Sequence, residues 1–194
     1  NGKILKDGAF KNIWVQPAAG DAGGALGAAL NAYHLNQEQP RVGTCAMDAM
    51  KGSYLGPHYQ QSDIEARLTA AGAKFTVLDD AGVISDTADA LADGKAIGWF
   101  QGRMKFGPRA LGGRSIIADP CSPEMQKTLN LQVKYRESFR PFAPSVLRED
   151  VTDWFDIDND SPYMLMVAPV VEKRRVAMTE EQNALFGIEK LNVP

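Results

Sequence analysis

The chain has 194 residues, of which 44% are hydrophobic and 23% are charged, and its formal net charge is −3 at pH 7. This composition is typical of a globular protein, it excludes disordered, collagen-like and coiled-coil chains, and no apolar stretch is long enough to predict a membrane span. Residues 1–11 carry three lysines and no apolar run, so we expect no secretory signal. Cys45 and Cys121 form no C-x-x-C motif, which indicates reduced thiols in a cytoplasmic protein.

The charge is unevenly distributed along the chain. Residues 101–148 contain nine basic residues against three acidic ones, a net charge of +6, whereas the rest of the chain has a net charge of −9. A basic segment in an acidic chain indicates either a surface that faces anions or a solvated basic face. The acidic total argues against a general nucleic-acid binder.

The predicted elements alternate between strands and helices. Strands are predicted at residues 12–16, 74–78, 96–100, 114–118, 141–147 and 163–170, with 96–100 buried because it is an apolar run. Helices are predicted at residues 20–36, 62–71, 85–92 and 122–135, and residues 38–59 are predicted to be a loop. This alternation predicts an α/β or α+β fold with one core of two or three layers.

Helix ends carry their own signals. Ser62 with Glu65 predicts a capping box, and Ser85 and Ser122 are predicted N-caps. Gly72 and Gly94 are predicted to end the helices before them. The strand and helix before residue 37 are followed by a long irregular loop, so we expect them to be the tail of a preceding domain in a longer protein.

A first glycine-rich segment, Q-P-A-A-G-D-A-G-G at residues 16–24, leads from the first predicted strand into a helix. Free N–H groups at such a helix start attract anions, and Gly20 and Gly23 would let a ligand approach the backbone. Asp21 could bind a metal or a ligand hydroxyl. Alternatively, Asp21 is only an N-cap and the glycines only allow tight packing.

A second segment, Q-G-R-M-K-F-G-P-R-A-L-G-G-R at residues 101–114, places four cations in a glycine-punctuated loop between two predicted strands. Arginines in a shaped loop bind phosphate or carboxylate oxygens through bidentate contacts, which favours an anion site. Alternatively, these arginines pair with Asp79, Asp80 or other surface carboxylates.

A third segment, residues 130–145, follows the last predicted long helix. Helical spacing predicts Lys127, Asn130 and Lys134 on one polar face, opposite Met125, Leu129 and Val133. Phe139, Phe142 and Pro144 are predicted to be core residues rather than a stacking platform. The acidic run at residues 150–160 lacks the glycine and the glutamate of a calcium loop and is predicted to be a solvated turn.

Together, these three segments resemble the O-carbamoyltransferases of the NodU/CmcH type, which include nodulation-factor and antibiotic enzymes such as the tobramycin carbamoyltransferase. Q-G-R-M-K-F-G-P-R-A-L-G-G-R-S-I-I-A-D-P is the most specific part, and V-K-Y-R-E-S-F-R-P-F-A-P-S-V adds to it. The chain departs from the family pattern at Lys105, where an acidic residue is usual, at Gly113, where a polar residue is expected, and at Cys121, usually arginine.

The resemblance implies two domains. Residues 1–38 would be the C-terminal strand and helix of an actin/Hsp70-like transfer domain, whose larger part would be missing from this chain. Residues 39–194 would be most of a YrdC-like domain, a twisted mixed sheet with flanking helices. That domain would form carbamoyl-adenylate from carbamoyl phosphate and ATP for transfer to the hydroxyl of a small-molecule acceptor, so we expect this chain alone not to complete the transfer.

The resemblance also implies roles for individual residues. Arg109, Lys134 and Arg140 are expected to be the catalytic contacts to the phosphates and to carbamoyl phosphate. Arg103, Arg114 and Arg136, with Gly20 and Gly23, are expected to bind ATP, and Asp21 is expected to bind a divalent metal, Fe or Mg. The alternative is a YrdC-like module that binds RNA or a nucleotide without catalysis. Membrane partners are not expected, and nucleic acid is disfavoured.

Overall fold

The computed structural model describes residues 1–11, 13–43 and 48–193. The fold mixes α and β elements. The helices are α1 (Gly2–Lys6), α2 (Asp21–Asn31), α3 (Gln61–Ala70), α4 (Asp80–Ala92), α5 (Met125–Thr128), α6 (Val151–Trp154) and α7 (Glu180–Ala184). The strands are β1 (Ile97–Phe100) and β2 (Arg114–Ile117).

Short π-helical and 3₁₀ turns accompany these helices. Helices α2 and α5 each continue into one π-helical turn, Ala32–Asn36 and Leu129–Val133. The 3₁₀ turns are Lys51–Ser53, Arg148–Asp150, Glu172–Arg174 and Glu189–Asn192. No helix among the described residues is long and apolar enough to cross a membrane.

Strands β1 and β2 pair into a two-stranded antiparallel sheet, and the predicted strands at 96–100 and 114–118 are thereby confirmed. The backbone N–H of Gln101 donates to the carbonyl of Gly113 over 3.1 Å, which closes the base of the loop between the strands. The sheet therefore presents the basic glycine-rich segment as the loop of a hairpin.

The other predicted strands are wrong wherever the structure describes them. Residues 13–16, 74–78 and 141–147 form no strand, and of the predicted strand 163–170 only Val170 makes a single bridge, to Phe155. Asn12 lies outside the described residues. β-branched and aromatic residues favour extended backbone, but a strand also needs a paired neighbour, and Phe75, Val77 and Leu78 lie exposed.

The predicted N-terminal caps of three helices are wrong. Helix α3 has Gln60 as its N-cap without a side-chain bond, so Ser62 and Glu65 form no capping box. Helix α4 begins at Asp80, five residues before Ser85, and α5 begins at Met125, beyond Ser122. A serine can cap only when the backbone turns at its own position, and here the turns come elsewhere.

The predicted helix ends are confirmed. Gly72 has φ +69° and Gly94 has φ +73°, which are left-handed conformations that glycine adopts without strain. After α3, the N–H of Ala73 donates to Leu68 over 3.0 Å, and after α4 the N–H of Lys95 donates to Ala90 over 2.9 Å. These bonds satisfy the last carbonyls of each helix.

The chain separates into two compact units. The first consists of residues 1–85, 98–116 and 161–165, and the second of residues 86–97, 117–160 and 166–194. In the first, Met50 and Tyr163 are buried, and in the second, Met125 and Leu129 are buried. The single layered core predicted from the sequence is not found among the described residues, and Phe100 of the strand predicted as buried is 63% exposed. The YrdC-like and actin/Hsp70-like assignments and the boundary at residue 38 stay predictions.

Candidate functional site

The basic loop, residues 101–114 of the first unit including the first residue of β2, is held in place by a bracing segment, residues 48–57. The N–H of Phe106 donates to the carbonyl of Ser53 over 2.7 Å. The N–H of Met104 donates to Pro57 over 2.9 Å, and the carbonyl of Met104 accepts from Gly56 over 2.8 Å. These backbone bonds join two segments about fifty positions apart, so the shape of the basic loop depends on the bracing segment.

Tyr54 of the bracing segment supports the far side of the basic loop. Its hydroxyl donates to the carbonyl of Leu111 over 2.8 Å. A Cβ atom at Gly113 would lie 2.6 Å from the ring of Tyr54, so this ring occupies the space that a side chain would need. The polar residue expected at position 113 does not fit beside Tyr54 in this arrangement, which explains the glycine.

The bracing segment is itself tied down by Asp48 and Tyr163. The carboxylate of Asp48 accepts from the N–H groups of Met50 over 2.9 Å and of Gly52 over 3.2 Å. The hydroxyl of Tyr163 donates to the same carboxylate and accepts from the N–H of Gly52 over 3.0 Å. Lys51, Gly52 and Ser53 all have positive φ angles, and these contacts hold that strained turn.

The glycine-rich turn before α2 meets the basic loop within the first unit. A Cβ atom at Gly107 would lie 2.6 Å from the Cβ of Ala18, and one at Gly23 would lie 2.2 Å from the carbonyl oxygen of Ala18. Gly23 therefore serves close packing, as one interpretation of this segment predicts, whereas a Cβ at Gly20 would meet nothing within 4 Å. The structure thus brings the first two sequence segments together.

Asp21 is the first residue of α2 and lies exposed. The N-cap is Gly20 and no side chain caps the helix, so the interpretation of Asp21 as an N-cap is wrong. Among the described residues, no group of three His, Cys, Asp or Glu side chains could hold a metal ion. The described residues around Asp21 therefore do not make a metal site on their own.

The cations of the basic loop are bound to backbone carbonyls rather than to carboxylates. Arg103 Nε donates to Gly56 over 2.9 Å, Lys105 Nζ donates to Phe106 over 2.6 Å, and Arg114 Nη2 donates to Gly107 over 2.7 Å. Arg109 lies exposed.

No carboxylate in the described part of the chain lies within 4.0 Å of these four cations. The alternative in which these arginines pair with Asp79, Asp80 or other surface carboxylates is therefore wrong for the described residues, and Asp79 instead accepts from the N–H of Gly82 over 2.8 Å. The basic loop therefore keeps its positive charge uncompensated.

Lys105 and Arg114 lie close enough to repel each other. Partial burial lowers the pKa of Lys105, and the nearby charge of Arg114 lowers it further. Lys105 and Arg114 are bound to adjacent backbone carbonyls and have no ion-pair partner among the described residues. Their combined positive charge favours the binding of an oxyanion.

In the second unit, Asn130 lies at the centre of the third segment. It is fully buried, so the prediction that it shares a polar helix face with the exposed Lys127 and Lys134 is wrong. Its side chain bonds to Arg136 and to the backbone of Ser138 and Arg140. A buried amide with several partners fixes backbone as well as side chains.

The other residues of this segment are more exposed than predicted. Phe142, a predicted core residue, is 36% exposed and lies under the guanidinium of Arg136, 4.9 Å from it. Pro144 is exposed as well. Arg140 forms an exposed ion pair with Glu137 over 2.8 Å, whereas Lys134 and Arg136 have no carboxylate within 4.0 Å among the described residues.

The acidic run is mostly solvent-exposed, as its sequence predicts, but part of it is a helix rather than a turn. Residues 151–154 form α6, and Asp158 and Asp160 both pair with Arg148. Lys173 pairs with Asp153 over 3.1 Å, and the guanidinium of Arg174 lies 3.7 Å from the ring of Trp154. The carboxylates of this run therefore neutralise Arg148 and Lys173 within the second unit.

The predicted site residues are divided between the two units. Arg103, Arg109 and Arg114 lie in the first unit with Gly20, Asp21 and Gly23, and Lys134, Arg136 and Arg140 lie in the second. Sequence reasoning missed Tyr54, which contacts the basic loop directly, and Asp48 and Tyr163, which hold the bracing segment in place. Asp48 and Tyr54 lie near Gly52 and Gly56 in an irregular segment, which is a weak local signal, whereas no local pattern singles out Tyr163.

Comparison with known families identifies these segments. A model of the carbamoyltransferase C-terminus matches residues 88–183, which include the basic loop and the Asn130 segment, and a model of the carbamoyltransferase N-terminus matches residues 1–30. The chain belongs to the NodU-type carbamoyltransferase family. The resemblance seen in the sequence is confirmed.

The family includes nodulation proteins of rhizobia. Nodulation protein NolNO of Sinorhizobium fredii is 44% identical over 90% of this chain, and nodulation protein NolO of Bradyrhizobium diazoefficiens is 42% identical over 90% of it. An uncharacterised protein of Synechocystis is 56% identical over 100% of the chain. The chain spans 32%, 26% and 32% of the Synechocystis, Sinorhizobium and Bradyrhizobium relatives, about a third or less of each.

Proposed function

We propose that the full protein is an ATP-dependent O-carbamoyltransferase and that this chain supplies phosphate-binding parts of its carbamoyl-adenylate-forming site. The observation that carries the proposal is the basic loop, whose four cations have no carboxylate partner in the described part of the chain. Membership of the carbamoyltransferase family supports the reaction class.

The proposed chemistry needs such a loop. Carbamoyl phosphate and the triphosphate of ATP crowd negative oxygens together, and catalysis of such reactions is largely positioning and charge neutralisation. Unpaired guanidinium groups on a braced loop bind these oxygens without first breaking ion pairs.

The proposed reaction has three steps. Water cleaves carbamoyl phosphate to carbamate and inorganic phosphate. A carbamate oxygen then attacks the α-phosphorus of ATP, pyrophosphate leaves, and carbamoyl-adenylate forms. Finally the acceptor hydroxyl loses its proton and attacks the carbamoyl carbon, and AMP leaves.

Individual roles follow the sequence predictions. Arg109, Lys134 and Arg140 are proposed to contact the phosphates and carbamoyl phosphate, and Arg103, Arg114 and Arg136 to help bind ATP. Arg140 would exchange its exposed pair with Glu137 for the substrate, at little loss because exposed pairs are weak. Gly20 is proposed to leave room for ATP at the start of α2, where a Cβ would meet nothing within 4 Å, whereas the space beside Gly23 is taken by the carbonyl of Ala18.

Other parts of the proposal concern the whole protein. A YrdC-like fold for residues 39–194 and an actin/Hsp70-like transfer domain ending near residue 38 are proposed from the family. A divalent metal, Fe or Mg, is proposed for the transfer domain, and any contribution from Asp21 would need ligands from elsewhere in the protein. A cytoplasmic location is proposed as well.

Calorimetric titration of carbamoyl phosphate and ATP into the full-length protein tests the proposal. Arg109→Lys and Lys134→Ala should each weaken binding of at least one ligand about ten- to a hundredfold, since a charge-assisted contact is lost. Lys127→Ala is the matched control, because Lys127 is exposed on the same helical segment and should bind neither ligand.

Unchanged affinity in both site variants would show that the basic residues are only a solvated surface. Filter binding of transfer RNA at two salt concentrations tests the alternative. Salt-dependent RNA binding without any binding of carbamoyl phosphate would favour a non-catalytic RNA module instead.

A further inference from the structure

Asn130 binds Arg136 through two separate contacts. Its side-chain Oδ1 accepts from Arg136 Nε over 2.6 Å, and its backbone carbonyl accepts from the N–H of Arg136 over 3.0 Å. Both ends of the arginine, its backbone and the start of its guanidinium, are therefore fixed to one buried residue.

The same amide also fixes the backbone beyond Arg136. Asn130 Nδ2 donates to the carbonyl of Ser138 over 3.1 Å and to that of Arg140 over 2.8 Å. An amide offers two N–H donors and one carbonyl acceptor, and all three are engaged here. The residue thus holds the segment 136–140 in one conformation.

These contacts leave the Nη groups of Arg136 available to bind a ligand. The Nε of Arg136 is used internally, its flat face lies 4.9 Å from the ring of Phe142, and no carboxylate among the described residues comes within 4.0 Å of it. The remaining Nη groups are the edge that binds an oxyanion in a bidentate contact.

We infer that Asn130 is a positioning residue for the phosphate-binding guanidinium of Arg136. The inference rests on the proposed function for the nature of the ligand, a phosphate-bearing substrate. Because Asn130 fixes the arginine before the ligand arrives, the entropy of ordering this side chain is not lost on binding. Asn130 itself touches no substrate.

A double-mutant cycle in the full-length protein tests this inference. Carbamoyl phosphate and ATP are titrated calorimetrically into wild type, Asn130→Ala, Arg136→Ala and the double variant. Asn130→Ala should weaken binding of the ligand that Arg136 contacts about tenfold, and its effect should be clearly smaller once Arg136 is absent, because only the support of the Arg140 backbone is then lost. Equal effects in the presence and absence of Arg136 would overturn the inference.

Gln126→Ala is the matched control. Gln126 Nε2 also donates to the carbonyl of Ser138, over 3.4 Å, but makes no contact with Arg136. Its removal should leave affinity unchanged. A loss equal to that of Asn130→Ala would show that loosening this backbone, rather than positioning Arg136, lowers the affinity, and it would also overturn the inference.

Two further measurements keep the inference testable if Asn130→Ala does not fold. Phe142→Leu removes the other support of the guanidinium at a partly exposed position, so the variant should fold and should also weaken binding. Unchanged affinity in Phe142→Leu would contradict a positioned guanidinium.

The second measurement needs no ligand and separates the inference from the proposed function. Hydrogen exchange of the Arg136 Nε–H is followed by NMR with labelled arginine in wild type and in Asn130→Asp, which keeps the acceptor, and in Asn130→Ser, which shortens the side chain. Exchange should be slow in wild type and in Asn130→Asp and fast in Asn130→Ser. Failure of wild type to bind either ligand would reject only the proposed function, whereas equally fast exchange in all three would reject the positioning role.

Discussion

The phenol of Tyr163 donates a hydrogen bond to the carboxylate of Asp48, 115 positions earlier in the chain. Burial raises the pKa of Tyr163 to about 12, with a further contribution from Asp48. Burial alone would raise the pKa of Asp48, but the hydrogen bonds from Tyr163, Gly52 and Met50 outweigh it and hold that pKa below its usual 3.8. The pair ties down the strained turn that supports the basic loop.

Tyr163→Phe should lower the free energy of unfolding by about 1–2 kcal/mol, because a hydrogen bond to a carboxylate is lost. Urea unfolding of the full-length protein measures the difference, and it should be constant between about pH 5 and 9. An unchanged unfolding free energy would show that the pair does not tie the segments together.

The pH dependence of that difference has a defined sign at both ends. The pKa of Tyr163 is raised when folded, so its contribution is present below its usual value of 10.0 and is lost as the pH rises toward about 12. The pKa of Asp48 is lowered, so its contribution is present above 3.8 and is lost as the pH falls below that value. If the difference in unfolding free energy between wild type and Tyr163→Phe increased at low or at high pH, this coupling would be contradicted.

Gly107→Ala should destabilise the protein more than Gly102→Ala. Both glycines lie in the basic loop with positive φ, +92° and +67°, so each alanine is strained by about 1–2 kcal/mol. Only the new Cβ at position 107 meets a neighbour, Ala18, at 2.6 Å, whereas at position 102 nothing lies within 4 Å. Thermal unfolding compares the two variants, and equal losses would mean that Ala18 and Gly107 do not pack together.

Lys105→Met should increase stability slightly, by about 0.5 kcal/mol, because methionine keeps the apolar stem and removes a partly buried charge beside Arg114. Since the pKa of Lys105 is lowered in the folded state from 10.5, its charged form opposes folding at pH 7, and this opposition disappears as the pH rises toward 10.5. Lys127→Met, at an exposed position, is the control. Chemical unfolding should show a larger gain at pH 7 than at pH 10, and a loss of stability at pH 7 would contradict the repulsion.

Thr179→Ala should destabilise α7 by about 1 kcal/mol. Thr179 Oγ1 accepts from the N–H of Gln182 over 3.2 Å, and Gln182 Oε1 accepts from the N–H of Thr179 over 2.9 Å, which is a complete capping box. Hydrogen exchange of the amides of α7 measures the loss, with Thr69→Ala in α3 as a control that carries no cap. Unchanged protection of α7 would show that the box adds nothing to the helix.

The sequence by itself determined the local features of this protein. The glycines that end α3 and α4 were identified correctly because left-handed backbone is a property of the residue itself. The helix after Gly20 and the hairpin strands around the basic loop were also predicted. The charge of that loop and its family motif depend only on consecutive residues, so the sequence alone was enough to identify them.

Only the tertiary structure decided which of these residues meet. The strands predicted at 74–78 and 141–147 failed because pairing depends on a distant neighbour that no local pattern reveals. The burial of Asn130 and the support of the basic loop by Tyr54 were invisible for the same reason. Whether a polar group is solvated or bound is fixed by contacts between distant parts of the chain, and those contacts decide here that the cations of the basic loop stay free of carboxylates.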